Sequence, residues 1–123
     1  MEERHEEALL RMGPNIYTNL PFGFECGNGW YRILAELSVI LEDLVLREPA
    51  ASWSSFYATQ VKEKYGTLRF YMSCETDAMG AAIDLAERQS EETCELCGEP
   101  GRLYNRGWCM VRCQSCLEDK EDA

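Results

Sequence analysis

Cysteines are the residues of this sequence whose number and spacing predict a specific chemistry. Seven are present, and four of them form two C-x2-C pairs separated by fifteen residues. This spacing lies at the short edge of the four-cysteine zinc pattern. Two thiolates three residues apart can bind one cation from a tight turn, and a second pair completes a tetrahedral ligand set. The sequence therefore predicts a zinc site formed by Cys94, Cys97, Cys113 and Cys116.

The predicted zinc is structural, because four thiolate ligands leave no coordination position open to water. An odd number of cysteines argues against a secreted disulfide scaffold. The alternative is two unrelated pairs of buried or redox-active thiols. A redox motif of the thioredoxin type uses one C-x2-C pair on a βαβ unit, which favours the zinc interpretation. Cys109 lies four residues before Cys113 and stays open as a spare ligand.

The remaining cysteines do not predict a catalytic centre. A nucleophilic thiol at Cys26 or Cys74 would need an activating base, which is usually histidine. The one histidine of the chain, His5, lies in the segment with the weakest structural signal. We therefore expect no Cys–His hydrolase and predict no catalytic residue. An enzyme of unknown type ranks third among the functional classes.

The segment between the two cysteine pairs predicts a hairpin that returns the chain to the metal. Two short strands are expected over residues 102–105 and 108–112, with the reversal at Arg106 and Gly107. Gly98 suits the left-handed conformation that a cysteine turn often requires. We expect the four-cysteine module to end in an acidic tail.

The strongest helical signal precedes this module by about fifty residues. This helix is expected to begin after Asn28, its predicted N-cap, and to end before Pro49. Glu36, Glu42 and Asp43 are expected to lie away from its apolar stripe. The stripe follows three- and four-residue steps and comprises Trp30, Ile33, Leu34, Leu37, Ile40, Leu41, Leu44 and Val45.

Weaker patterns predict the other elements of the chain. A short helix is expected over residues 2–11, and a loop rich in Pro, Gly and Asn follows over residues 14–30. Alternating β-branched and aromatic residues predict a hairpin over residues 57–72, with Gly66 near its turn. A second amphipathic helix is expected after Thr76, its predicted N-cap, through about residue 90.

These elements together predict an α+β protein. Amphipathic helices would pack on a small antiparallel sheet, and a C-terminal module similar to a zinc ribbon or treble clef would follow. We expect residues 1–93 to form the α+β core, with a peripheral helix and loop in residues 1–19. Residues 94–123 would form the zinc module, packed as one unit with the core because no Gly/Ser linker separates them.

Charge and hydropathy limit the classes of function. The chain carries 12 basic and 22 acidic residues, a formal net charge of −10. No run approaches the roughly 18–20 apolar residues that span a bilayer, and the acidic N-terminal segment is the opposite of a signal peptide. We therefore expect a cytoplasmic protein with no membrane partner.

Two segments are weakly basic against this acidic background. They span residues 61–72 and 94–116, and they combine cations with aromatic residues in a pattern typical of nucleic-acid-binding surfaces. The alternative is that these cations pair with surrounding carboxylates. Zinc bound by four thiolates would add a net charge of −2 and cancel the excess of the module. The candidate nucleic-acid or partner surface comprises Lys62, Lys64, Tyr65, Arg69, Tyr71, Arg102, Arg106 and Trp108.

Three strings of the sequence resemble one known family. They are ECGNGW at residues 25–30, QVKEKYGTLRFY at residues 60–71 and TCELCGEPGRL at residues 93–103. Their order and spacing are similar to those of a family of small uncharacterised proteins from bacteria and their phages. The resemblance covers roughly residues 20–116. It implies a cysteine-pair module at the C-terminal end and a bacterial or phage origin, and it supplies no mechanism.

Two functional classes follow from these features. The first is a zinc-stabilised binding protein that acts by protein–protein interaction, as an inhibitor or immunity-type protein of a phage or bacterium against a basic target. The inhibitor assignment rests on an analogy of size and charge. The alternative is a nucleic-acid-binding zinc protein that uses the hairpin and the zinc module.

Overall fold

The computed structural model describes the backbone of residues 1–122 and the side chains of residues 1–118. As its apolar stripe predicts, helix α2 (Tyr31–Leu46) contributes heavily to the hydrophobic core. Ile40 is the exception within the stripe, because its side chain is 45% exposed. The buried apolar side chains of α2 are Ile33, Leu34, Leu37, Leu41 and Val45.

Glu42 lies inside the protein, so its predicted place on the polar face of α2 is wrong. Its carboxylate accepts hydrogen bonds from the backbone N–H groups of Asn15 (3.0 Å) and Ile16 (3.3 Å) and from the Asn15 side-chain amide. A loop that packs against a helix must find acceptors for its buried N–H groups. Glu42 supplies them and fixes the chain between α1 (Glu3–Met12) and the sheet.

The N-terminal side of α2 differs from the prediction for Asn28. This residue begins a short 3-10 helix (Asn28–Trp30), and it makes no side-chain capping bond to α2. Its Oδ1 atom instead accepts a hydrogen bond from the backbone N–H of Glu2 (2.7 Å) and lies 3.2 Å from Nδ1 of His5. The predicted N-cap role is therefore wrong, because the side chain ties α1 to this loop.

A three-stranded sheet supports the helices. Strands β2 (Ala58–Lys64) and β3 (Thr67–Met72) form the predicted antiparallel hairpin. Tyr65 and Gly66 both have positive φ angles, 54° and 91°, as a type I′ turn requires. Strand β1 (Phe24–Glu25) lies within the predicted loop and pairs with β2 in parallel, so the sheet is mixed.

Helix α3 (Asp77–Ser90) begins as predicted, with the Thr76 side chain accepting from the backbone N–H of Met79 (3.3 Å). Its C-terminal half contacts the free edge of β3. Ser90 Oγ accepts from the backbone N–H of Leu68 (2.9 Å), and Glu87 accepts from that of Phe70 (3.0 Å). The helix therefore completes the backbone hydrogen bonding of this edge.

The C-terminal part forms a second, two-stranded sheet. Strands β4 (Arg102–Asn105) and β5 (Cys109–Arg112) pair antiparallel near the predicted positions. Helix α4 (Gln114–Asp122) follows, although the sequence predicts an acidic tail there. The side chains of residues 119–122 and Ala123 lie outside the described residues.

The predicted α+β fold class is confirmed, with four α-helices, two short 3-10 helices (Asn28–Trp30 and Ala50–Ser55) and two small sheets among residues 1–122. In the part of the chain that the structure describes, no helix has the length and apolar character needed to cross a membrane.

Replacing Glu42 with Ala should lower the free energy of unfolding by about 2–4 kcal/mol, because several buried donors would lose their acceptor. Urea denaturation followed by circular dichroism measures this change. Glu36→Ala, on the exposed side of the same helix, is the control and should change stability by less than about 0.5 kcal/mol. Equal stabilities of the two variants would contradict the role of Glu42.

Candidate metal centre

The structure brings Cys94, Cys97, Cys113 and Cys116 together at the C-terminal end of the chain. Their four sulfur atoms all lie within 4.8 Å of one another, and the Sγ atoms of Cys97 and Cys113 are 3.5 Å apart. Four thiolates bound tetrahedrally to zinc at 2.3 Å lie about 3.8 Å apart. The donor set and its spacing are therefore compatible with zinc binding.

The first cysteine pair lies on a tight turn. The backbone N–H of Gly98 donates to the carbonyl of Cys94 (2.9 Å), and the N–H of Cys94 donates to the carbonyl of Glu99 (2.8 Å). Gly98 has the predicted positive φ angle, 85°. This turn places the side chains of Cys94 and Cys97 on the same side of the chain, as metal binding requires.

The second pair lies where β5 ends and α4 begins. The backbone N–H of Cys116 points at the sulfur of Cys113, with a distance of 3.4 Å, and the N–H of Leu117 donates to the Cys113 carbonyl (3.0 Å). The first turn of a helix has unpaired N–H groups and a positive dipole end. The sulfur of Cys113 therefore lies at the N-terminal end of α4, in contact with its backbone.

Backbone contacts between the two pairs fix their relative position. Thr93 and Pro100 form an isolated antiparallel bridge, and the N–H of Glu95 donates to the carbonyl of Val111 on β5 (3.1 Å). The predicted hairpin, with Gly107 at its turn, closes between them. The pairing of β4 with β5 brings Cys113 and Cys116 back to Cys94 and Cys97.

The thiols of the cluster differ in acidity. Burial disfavours the thiolate of Cys94, but the backbone N–H groups of Cys113, Cys97 and Leu96 outweigh it and lower the pKa of Cys94 to about 7. Burial and hydrogen bonds with the other three sulfurs raise the pKa of Cys116 well above its ordinary value. A divalent cation that binds all four sulfurs must therefore displace protons, so its affinity rises with pH.

The first cysteine turn contacts the loop before α2 backbone to backbone. The N–H of Gly29 donates to the carbonyl of Glu95 (2.7 Å), and the indole Nε1 of Trp30 donates to the carbonyl of Thr93 (2.9 Å). A Cβ atom on Gly29 would overlap the carbonyl oxygen of Cys94. Glycine is required at this position because a side chain would separate the two segments.

Glu95 is a functional residue that no sequence pattern indicates. It stands between two cysteines of the cluster, where an exposed residue is expected, yet its side chain is 13% exposed. Its Oε2 atom accepts from the backbone N–H of Gly27 (2.8 Å), and its Oε1 atom lies 3.6 Å from Nη1 of buried Arg112. The carboxylate therefore links the loop before α2 to strand β5.

A second contact joins the two hairpins. A Cβ atom on Gly66 would lie 2.7 Å from Cδ1 of Leu103 and 3.0 Å from the carbonyl carbon of Cys109. The β2–β3 turn is thus packed against the β4–β5 hairpin. Together with the Gly29 contact, it holds the cysteine module against the core from two sides.

The other cysteines lie apart from the four-sulfur cluster. Burial, followed by the charge of Glu95, raises the pKa of Cys26 to about 12, so this thiol stays protonated. Cys74 is exposed, and half-buried Cys109 is not among the four clustered sulfurs. His5 stacks on Tyr31 with ring centroids 4.3 Å apart.

The predicted basic and aromatic residues fall into two groups. Lys62, Lys64, Arg69 and Tyr71 lie on the face of the β1–β2–β3 sheet opposite to buried Val61 and its neighbours, as the strand register requires. We call this the outer sheet face. Tyr65 lies at its turn end and is 73% exposed.

The second group lies on the β4–β5 hairpin. The guanidinium groups of Arg102 and Arg106 both lie over the ring of Tyr104, 5.1 Å and 5.5 Å from its centroid. Trp108 is 59% exposed near the turn. Residues alternate between the faces of a strand, so Arg102 and Tyr104 point away from the side on which Leu103 meets Gly66.

The fold and the site define an α+β protein with a C-terminal four-cysteine centre. Comparison with protein-family models, curated proteins and solved structures finds no match to this chain. The resemblance of the three sequence strings to a bacterial and phage family therefore stays a prediction.

Replacing Gly29 with Ala should lower the free energy of unfolding by about 1–3 kcal/mol or more, because the new methyl group overlaps the Cys94 carbonyl. Gly80→Ala is the matched control within α3. Its Cβ would meet only the flexible end of the Glu75 side chain (3.0 Å), and alanine favours the helix. Urea denaturation compares the two variants, and a Gly29→Ala protein as stable as the wild type would contradict the close contact.

Proposed function

We propose that this protein is a zinc-stabilised binding protein that acts by protein–protein interaction. Zinc is the metal that a closed set of four thiolates favours, and such a site has a structural role. The four sulfurs within 4.8 Å of one another support this assignment. The proposal names Cys94, Cys97, Cys113 and Cys116 as ligands.

The composition of the cysteine module supports a stabilising role for the metal. The main cluster of buried hydrophobic residues is drawn from residues 9–86. Within residues 94–118, four apolar side chains are buried: Cys94, Met110, Val111 and Leu117. So small a set cannot stabilise a module of this length alone, and metal binding supplies the missing free energy.

Purified protein should contain one equivalent of zinc, and Cys97→Ser should lose it because a tetrahedral site would lack one ligand. Elemental analysis of dialysed samples measures the zinc content. Cys74→Ser, which changes an exposed cysteine outside the cluster, is the control and should retain the metal. A chelator should lower the urea midpoint of the wild type and of Cys74→Ser. Unchanged zinc in Cys97→Ser would contradict the ligand assignment.

An apolar groove between α1 and α2 is the observation that carries the binding function. It has a volume of about 460 Å³ and is lined by Met12, Ala35, Glu36, Val39 and Ile40. Val39 is 55% exposed and Ile40 is 45% exposed. Neighbouring exposed apolar side chains mark interaction sites on soluble proteins. The groove suits an apolar side chain or a short helix of a partner.

The negative charge of the protein around this groove favours a basic partner. Outside the core, helices α1 and α2 together carry five carboxylates, Glu42 being buried, and three arginines. The whole chain carries a net charge of −10. Four thiolates and one zinc ion add a further −2. Such a surface accelerates association with basic proteins and disfavours acidic ones. A phage- or bacterium-encoded inhibitor or immunity-type protein of the cytoplasm is the proposed biological role.

Affinity capture from the native host tests the groove. Wild-type protein should retain a basic protein, and Val39→Asp should bind the purified form of that protein at least tenfold more weakly, because a charge would enter the apolar contact. Leu85→Asp is the matched control, since Leu85 on α3 is 52% exposed. Isothermal titration with the purified partner measures the affinities. An acidic partner, or equal weakening by both variants, would contradict the proposal.

A further inference from the structure

The outer sheet face carries an arrangement of cations that the fold itself does not explain. Lys62 on β2 lies directly opposite Arg69 on β3. Like charges in opposed positions of a sheet destabilise it. Among the described side chains, no carboxylate oxygen lies within 4.0 Å of the charged atoms of Lys62, Lys64 or Arg69. These cations are therefore available to an external anion.

The one carboxylate on this face is already engaged. Glu25 on β1 lies beside Lys62 in the register, and its Oε1 atom accepts from the side-chain amide of Gln60 (3.3 Å). Glu87 lies beyond the edge of β3, where it binds the backbone of Phe70. The strand positions of this face thus carry three cations against one carboxylate. Glu75, Asp84 and Glu87 line a cavity with Arg69 and Tyr71 at its β3 edge, so the positive charge is centred on Lys62 and Lys64.

Arg69 is held in place by the sheet. Its Nη1 atom donates to Thr67 Oγ1 (2.8 Å) and to the carbonyl of Leu68 (3.0 Å). A guanidinium fixed along a strand retains further N–H donors for an incoming oxyanion. Because the side chain is ordered before binding, it loses little conformational entropy when an anion arrives.

Aromatic rings accompany the cations. Tyr71 follows Arg69 on the same face and is 39% exposed, and Tyr65 at the turn is 73% exposed with Lys64 Nζ 5.6 Å from its ring centroid. Alternate residues of a strand repeat about every 7 Å on one face. Cations alternating with exposed aromatic rings suit a chain of phosphates and unstacked bases.

We propose that the outer sheet face binds single-stranded nucleic acid, with Lys62, Lys64 and Arg69 contacting phosphates and Tyr71 stacking on a base. A duplex would not use the tyrosines, because its bases are already stacked. An acidic protein segment would also not use the Tyr71 ring, because it has no bases to stack on it. The observations therefore favour a single strand over these two anionic partners.

The negative charge of the rest of the protein sets the expected strength of binding. Long-range repulsion by the net charge of −10 lowers the affinity. The complex should still weaken as salt is added, because each phosphate contact releases counterions when it forms. About three phosphate contacts to a single strand give a slope of roughly −2 in log affinity against log salt concentration. A slope near zero would contradict phosphate contacts.

Fluorescence anisotropy with labelled oligouridylate and oligothymidylate of about twelve nucleotides tests the site on the zinc-loaded full chain. The double variant Lys62→Glu/Arg69→Glu should lose at least tenfold in affinity. Arg47→Glu/Arg88→Glu changes the net charge equally at exposed ion pairs of α2 and α3, and should lose less than about threefold. Preference between the two oligonucleotides assigns RNA or DNA.

Tyr71→Ala separates base stacking from plain attraction of polyanions. It should weaken oligonucleotide binding several-fold and leave binding of heparin unchanged, whereas Tyr71→Phe should retain oligonucleotide binding. Circular dichroism and zinc content test whether each variant folds. If Lys62→Glu/Arg69→Glu does not fold, Lys62→Gln/Arg69→Gln takes its place, because it removes the two charges without reversing them.

Three outcomes would overturn the proposal. They are no oligonucleotide binding by the wild type at low salt, equal losses in the two double variants, and displacement of the oligonucleotide by polyglutamate at equal charge concentration. The last outcome would assign an acidic protein segment to the face. Val39→Asp in the groove should leave oligonucleotide affinity unchanged, because the groove lies apart from the outer sheet face. The nucleic-acid proposal and the groove proposal can therefore fail independently of each other.

Discussion

Gly29 and Glu95 meet backbone to backbone, and the carboxylate of Glu95 also accepts from the N–H of Gly27. These contacts are possible only because Gly27 and Gly29 have no side chains. A Cβ atom at either position would overlap a carbonyl group of the first cysteine turn. The loop that leads into α2 and the turn that carries two sulfur ligands are therefore one packed unit. Whatever orders the cysteine turn also orders the start of the central helix. A metal ion held by the four sulfurs would therefore also stabilise the N-terminal end of α2.

Acidic residues have two different uses in this protein. Glu42 is buried and Glu95 is largely buried, and each accepts a hydrogen bond from the backbone N–H of a loop residue. The exposed carboxylates of the helices instead set the long-range field. The cations of the outer sheet face lie on the opposite side of the sheet from its buried residues. The molecule therefore combines a negative total charge with a local positive surface, and these act at different ranges because salt screens the long-range field first.

Sequence reasoning predicts the local features of this fold well. The periodicity of α2, the Thr76 cap of α3, the two hairpins and Gly98 each depend on a few neighbouring residues, and the structure confirms them. Features that depend on distant partners are missed. Glu42 and Glu95 are buried by loops that lie far away in sequence, and α4 forms beside the cysteine cluster in a segment with a weak apolar pattern. The four cysteines could be assigned because their spacing encodes a tertiary contact, whereas a single buried carboxylate leaves no such pattern.

The edge of β3 has a further consequence for the behaviour of the protein at high concentration. Unpaired strand edges are templates on which other chains can add, which leads to aggregation and domain swapping. Ser90 and Glu87 occupy the free N–H groups of Leu68 and Phe70 on this edge. At the opposite edge, β1 consists of two residues, too few to template an added strand. Both edges of the sheet are thus partly blocked, which disfavours the addition of a further strand during self-association.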